Sequence, residues 1–107
     1  HRRSRAVVAG GTVYVAGHTA QDRTKDAAGQ AKDILAAIEA LLEQAGSGKD
    51  RLLNVTIMLA CMDDFNAVNE VYDKWIVEGK APARCCSEVK LAFPDILVEV
   101  TAIAQLR

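Results

Sequence analysis

The sequence predicts an α+β sandwich, a mixed β-sheet with two helices on one face. Three observations carry this. Hydrophobic periodicity switches between strand and helix in the order β-β-α-β-α-β-β across the 107 residues. Two separate stretches have an apolar stripe at helical spacing. Strands and helices alternate closely enough that both helices would cover the same sheet face. A chain of this length forms one domain, residues 1–107, with half its residues hydrophobic and so enough for a core.

The elements follow in order. Val7, Val8 and Ala9 lead into Gly10-Gly11, then Thr12 to Gly17. Two β-rich runs around a Gly-Gly pair predict a hairpin. No helix opens after the pair and no Gly-x-Gly-x-x-Gly follows, so it is not a phosphate loop. Gly17 ends the second strand, either as a simple turn or to let another group approach the backbone. Residues 18–29 are polar and predict a connection; His18 could line a site there, the plain alternative being a solvated loop histidine.

A helix is predicted over residues 27–45. Ala31, Ile34, Leu35, Ile38, Leu41, Leu42 and Ala45 form its stripe. Asp26 is the expected N-cap and Gly46 the residue after the C-cap. Residues 52–61 alternate as a strand, with Val55, Ile57, Leu59 and Cys61 on the buried side. Asp63 or Asp64 is expected to cap a second helix. Phe65, Val68, Val71, Tyr72, Trp75 and Ile76 make its apolar face, and Gly79 its end. Asn69 sits beside that face.

Pro82 to Val89 predicts a strand entered through a proline, which suits a strand's first residue or a sheet edge. Alternation puts Arg84, Cys86 and Glu88 on one face and Cys85, Ser87 and Val89 on the other. Arg84 is the candidate site residue. A guanidinium is always charged and can grip a carboxylate or phosphate with two parallel hydrogen bonds. The plain alternative is a strand-end arginine, solvated or paired with a surface acid. Leu97 to Ala104 predicts the last strand, with Glu99 between valines that could crowd its carboxylate and suit it to acid–base work. The plain alternative there is a solvent-face glutamate.

Composition excludes several classes. Net charge is −1, and no basic stripe with interleaved aromatics occurs, so nucleic acid is not an expected partner. No apolar run approaches about 18 residues, so a membrane is not expected either. Three cysteines, Cys61, Cys85 and Cys86, make no disulfide framework, and two histidines, His1 and His18, lack ligand partners at metal spacing. The expectation is a reduced, cytoplasmic protein without a metal. A sheet covered on one side leaves a half-apolar face open, which points to an oligomer.

Pro82-Ala83-Arg84-Cys85-Cys86-Ser87-Glu88-Val89, followed by Val98-Glu99-Val100-Thr101-Ala102-Ile103-Ala104, resembles the signature region of the Rid/YjgF reactive-intermediate deaminases. Val13 to His18 is similar to the family's early strand, and Asp63 to Tyr72 to its second helix. The resemblance implies a chorismate-mutase-like fold, a homotrimer whose sheets form a central barrel, and sites in clefts between subunits. It implies cofactor-independent hydrolysis of 2-imino or enamino acids to 2-keto acids and ammonia. Arg84 would bind the substrate carboxylate with the backbone N–H of Cys86. Glu99 would orient or activate water, and Gly17 and Asn69 would line the cleft. The partner is then a small imine or keto acid bearing a carboxylate.

Two features depart from the family pattern. The N-terminal tyrosine common in the family is replaced by the stretch Arg2-Arg3-Ser4-Arg5, and a second acid two residues after Glu99 by Thr101. Both mark a divergent branch. The competing reading is a non-catalytic homotrimer that binds small carboxylates, regulatory, chaperone-like or linked to translation. Chorismate mutase activity is a third reading by fold alone and requires more than one cation around a dicarboxylate.

Overall fold

A computed structural model describes residues 1–107. The hairpin forms as β1 (Ala6–Ala9) and β2 (Thr12–His18). Gly10 and Gly11 between them have φ of 57° and 77°, the pair of left-handed residues that a two-residue hairpin turn needs to match strand twist. The first helix, α1, spans Ala27–Gln44. Asp26 caps it, accepting a hydrogen bond from Gly29 N at 2.9 Å. At its other end Gly46 adopts φ 90°. Ser47 N then reaches Leu42 O at 2.8 Å and Gly46 N reaches Glu43 O at 3.1 Å, the paired closure of a helix that ends in a left-handed residue.

Strand β3 (Leu52–Leu59), helix α2 (Phe65–Trp75), β4 (Ala83–Glu88) and β5 (Val98–Gln105) complete the chain. The sheet order is β1-β2-β5-β3-β4. Only β3 and β4 run parallel, and α2 supplies the crossover that a parallel pair requires. β4 is therefore an edge strand, which is what Pro82 at its entrance permits.

Alternation sorts the faces. Val13 and Val15, Val55, Ile57 and Leu59, and Val98, Val100, Ala102 and Ala104 are buried against Ile34, Leu35, Ile38, Leu42, Val68 and Tyr72. The other face carries Tyr14, Thr56, Met58, Thr101 and Ile103, all partly or fully exposed. Gln30 is fully buried within the α1 stripe. Its amide donates to Lys25 O at 3.1 Å and Asp95 O at 3.0 Å and accepts from Leu97 N at 3.0 Å. One side chain thus ties α1 to the segment that feeds β5.

Several expectations are corrected. Cys61 is exposed rather than buried, because β3 stops at Leu59 and the alternation lapses into a 3-10 turn at Met62–Asp64. Asp64 occupies the cap position of α2 but makes no capping hydrogen bond, its backbone already being helical from that turn. The helix ends at Trp75, since Ile76 is extended, and Gly79 turns the chain beyond it. His18 belongs to β2 and is buried.

Candidate functional site

Arg84 lies opposite Val55 in the parallel β3–β4 register, so it shares the helix-side face. At the edge of the sheet the helix layer thins, and Arg84 is only half-buried. Its Nη2 donates to Asn69 Oδ1 at 2.6 Å, and its guanidinium carbon lies 4.7 Å from the centre of the Tyr72 ring. Asn69 and Tyr72 are one turn apart on α2 and present neighbouring side chains. The guanidinium is thus held from two sides by uncharged groups, and it takes part in none of the chain's four ion pairs. The pairing with a surface acid does not occur.

Cys86 follows on the same face, half-buried and packed against the core. Burial pushes its thiol up, partly offset by the charge of Arg84. The protonated thiol therefore persists at neutral pH, which disfavours a nucleophilic role. Burial likewise pushes up the Tyr72 hydroxyl, with Arg84 pulling the other way. Tyr72 Oη has no hydrogen-bond partner.

Glu99 is elsewhere. It pairs with Met58 in the β3–β5 register and projects from the open face. Val98 and Val100 point into the core on the opposite side, so the flanking valines do not crowd it. Gly17 does. The β2–β5 register shifts between Val15 and His18, and this bulge turns Gly17 toward the glutamate. A Cβ at Gly17 would overlap Glu99 Oε2 and sit 3.2 Å from its carboxyl carbon. The glycine is needed for close approach, not for φ.

The predicted residues thus fall into two groups. Arg84, Asn69 and Cys86 gather on the helix side of the edge strand. Gly17 and Glu99 gather on the open face. One protomer does not bring the groups together. Tyr72 escaped the sequence reading as a site residue, and the contacts of Arg3 and His18 were not legible in it. Tyr72 was placed only in the core, although its spacing from Asn69 put it within reach of the same neighbour. Arg3 donates to Gly17 O at 3.3 Å. His18 Nδ1 donates to Ala16 O at 2.6 Å, leaving a buried Nε2 without a partner. No three His, Cys, Asp or Glu side chains converge as a metal site would need.

A mixed sheet in this order, backed by two helices, is a chorismate-mutase-like sandwich, with Arg84 of its edge strand hydrogen-bonded to Asn69 of α2. The chain belongs to the family described as Endoribonuclease L-PSP, whose match covers residues 1–106. It is 39% identical over 103 residues to the RutC family protein YoaB of Escherichia coli K12, covering 96% of this chain and 90% of that one. A YjgF family structure from Neisseria meningitidis superposes with a TM-score of 0.94 at 36% identity, covering 99% of this chain and 88% of that one. The Rid family structure YyfA from Yersinia pestis gives a TM-score of 0.90 at 28% identity, covering 98% and 88%. No helix is long and apolar enough to cross a membrane.

Proposed function

We propose that the protein hydrolyses reactive 2-imino acids to 2-keto acids and ammonia, in a cleft shared between subunits of a homotrimer. The observation that carries this is the state of Arg84. It is oriented by Asn69 and Tyr72 yet neutralised by no acid, a guanidinium set to receive a carboxylate.

The chemistry asks little of the protein. Water adds to the electrophilic C=N carbon, one proton reaches nitrogen, and the C–N bond of the resulting aminoalcohol breaks. Imine plus water becomes keto acid plus ammonia, with no oxidant and no cofactor needed. Arg84 and the Cys86 N–H hold the carboxylate, and Glu99 orients the water and carries the proton. Positioning of this kind lowers barriers by several kcal/mol.

A shared cleft answers the separation of the two groups. Arg84, Asn69 and Cys86 of one subunit would face Gly17 and Glu99 of its neighbour. The open, half-apolar sheet face supports such an assembly.

The test is complementation. Arg84→Ala and Glu99→Gln are each expected to lose acceleration of 2-iminopropanoate hydrolysis, with the imine generated in situ by an amino-acid oxidase. Mixed after unfolding and refolding together, they should regain activity, because some interfaces pair an intact Arg84 with an intact Glu99. Random mixing gives such a pair at about a quarter of interfaces. Two inactive variants that stay inactive when mixed refute the shared cleft. A wild type that accelerates no imine refutes the deaminase and favours a carboxylate-binding module, which small carboxylates should then stabilise thermally.

A further inference from the structure

We infer that the cleft beside Gly17 is a subsite for a second anionic group of the substrate, which makes 2-imino dicarboxylates the favoured class. This rests on the deaminase reading above.

The cleft holds about 800 Å³ between the N-terminal segment, the loop after β2 and α1, and Arg3, Arg5, His18 and Arg23 line it. Its charges are not balanced. Asp33 is engaged by Lys25 Nζ at 2.7 Å. Asp22 accepts from Thr24 N and Oγ1 at 3.0 and 2.6 Å, which holds its carboxyl below the usual range and keeps it ionised, so one carboxylate stands in the cleft against Arg3 and Arg5. Arg23 pairs with Asp95 at 3.5 Å and lies over the Phe93 ring at 4.9 Å. Arg3 and Arg5 have no acidic partner. Two guanidinium groups outside any ion pair, with the single carboxylate of Asp22 against them, leave the concave site a net positive charge that attracts a carboxylate, and their forked donors suit its geometry.

The position links this cleft to the chemistry. Arg3 donates to the carbonyl of Gly17, the residue against which Glu99 packs. His18, next in the chain, is 7% exposed. With Nδ1 donating to Ala16 O, its buried Nε2 has no hydrogen-bond partner. An ordered water that bridges the ring to a bound carboxylate satisfies such a group. The cleft opens on the helix side, beside α1, and Glu99 projects from the open face, so Gly17 at the end of β2 is the passage between them: a substrate with its imine carbon near Glu99 would pass its side chain around this strand end to bring a second carboxylate to Arg3 and Arg5.

The experiment compares kcat/KM for 2-iminoglutarate and 2-iminopropanoate, generated in situ from glutamate and alanine, in wild type, Arg84→Ala and the double variant Arg3→Gln/Arg5→Gln. The quantity read is the ratio between the two imines. Wild type is expected to favour 2-iminoglutarate about tenfold, the scale of one charge-assisted contact. The double variant should lose that preference, and Arg3→Lys/Arg5→Lys should recover part of it. No preference in wild type, or an unchanged ratio in the double variant, overturns the subsite. If 2-iminopropanoate is still hydrolysed and Arg84→Ala abolishes this, the deaminase reading survives that result. If wild type accelerates neither imine, the deaminase reading falls and the subsite with it.

Discussion

Gly17→Ala separates function from folding at a single atom. The new Cβ would occupy the place of Glu99 Oε2, so the carboxylate must swing away. The backbone itself accepts alanine, because Gly17 is not among the glycines with positive φ. Replacing glycine at such a site stabilises by about 0.4–1 kcal/mol through the unfolded state. Forcing Glu99 off its preferred rotamer costs about 0.5–1.5 kcal/mol. These offset, and the melting temperature should move by less than about 5 °C. Activity should behave differently. Misplacing a group that orients water and carries a proton costs about 10²-fold, or about 2.7 kcal/mol of transition-state stabilisation. The assay is imine hydrolysis beside thermal unfolding of the same preparation. Gly17→Ala/Glu99→Gln should be no slower than Glu99→Gln alone, since both changes remove one contribution. A Gly17→Ala protein within about threefold of wild-type activity refutes the placement of Glu99 in the chemistry. A large loss of stability would mean that the glycine serves folding.

Arg84→Lys should weaken keto-acid binding by at least about tenfold, because lysine can neither fork to a carboxylate nor keep the planar contact with Tyr72; calorimetric titration with pyruvate reads this. Gln30→Ala leaves Leu97 N and the carbonyls of Lys25 and Asp95 without this partner, and should destabilise the fold by about 2–4 kcal/mol in denaturant unfolding. Iodoacetamide at mildly alkaline pH should label Cys61 and Cys85, both exposed, before Cys86. Burial raises the Cys86 pKa, so it holds less thiolate at a given pH and its labelling should catch up only as pH rises; mass spectrometry of digests resolves the order. Light scattering should give three chain masses at micromolar concentration, and a monomer mass would remove the neighbour on which the shared cleft depends.

Much of the fold was legible because each signal was local. The Gly10-Gly11 turn, the Asp26 cap, the Gly46 exit and the stripe from Ala31 to Leu42 each need only a few adjacent residues, and each forms as expected. Errors arose where periodicity ran past its cause. Cys61 continues the alternation of β3 in sequence, but the strand has already lost its partner. Gln30 lies one turn before Ile34, yet nothing in a helical stripe says that its amide will meet the loop entering β5. His18 read as a loop residue because the bulge at Ala16 and Gly17 carries β2 one residue further.

By itself the sequence determined the element order, the hydrophobic faces and the residue types available for the proposed chemistry. Arginine, glutamate, asparagine and glycine declare their capabilities through charge, donors and size. Their mutual placement was decided only by the tertiary structure. Arg84 and Glu99 are fifteen positions apart, and nothing local states that one strand shows its odd member to the helices and the other to the open face. Side-chain direction follows register, and register is set by pairing between distant strands competing to bury their valines. That competition turned Arg84 toward Asn69 and Tyr72, turned Glu99 toward Gly17, and set the two groups on opposite sides of the sheet.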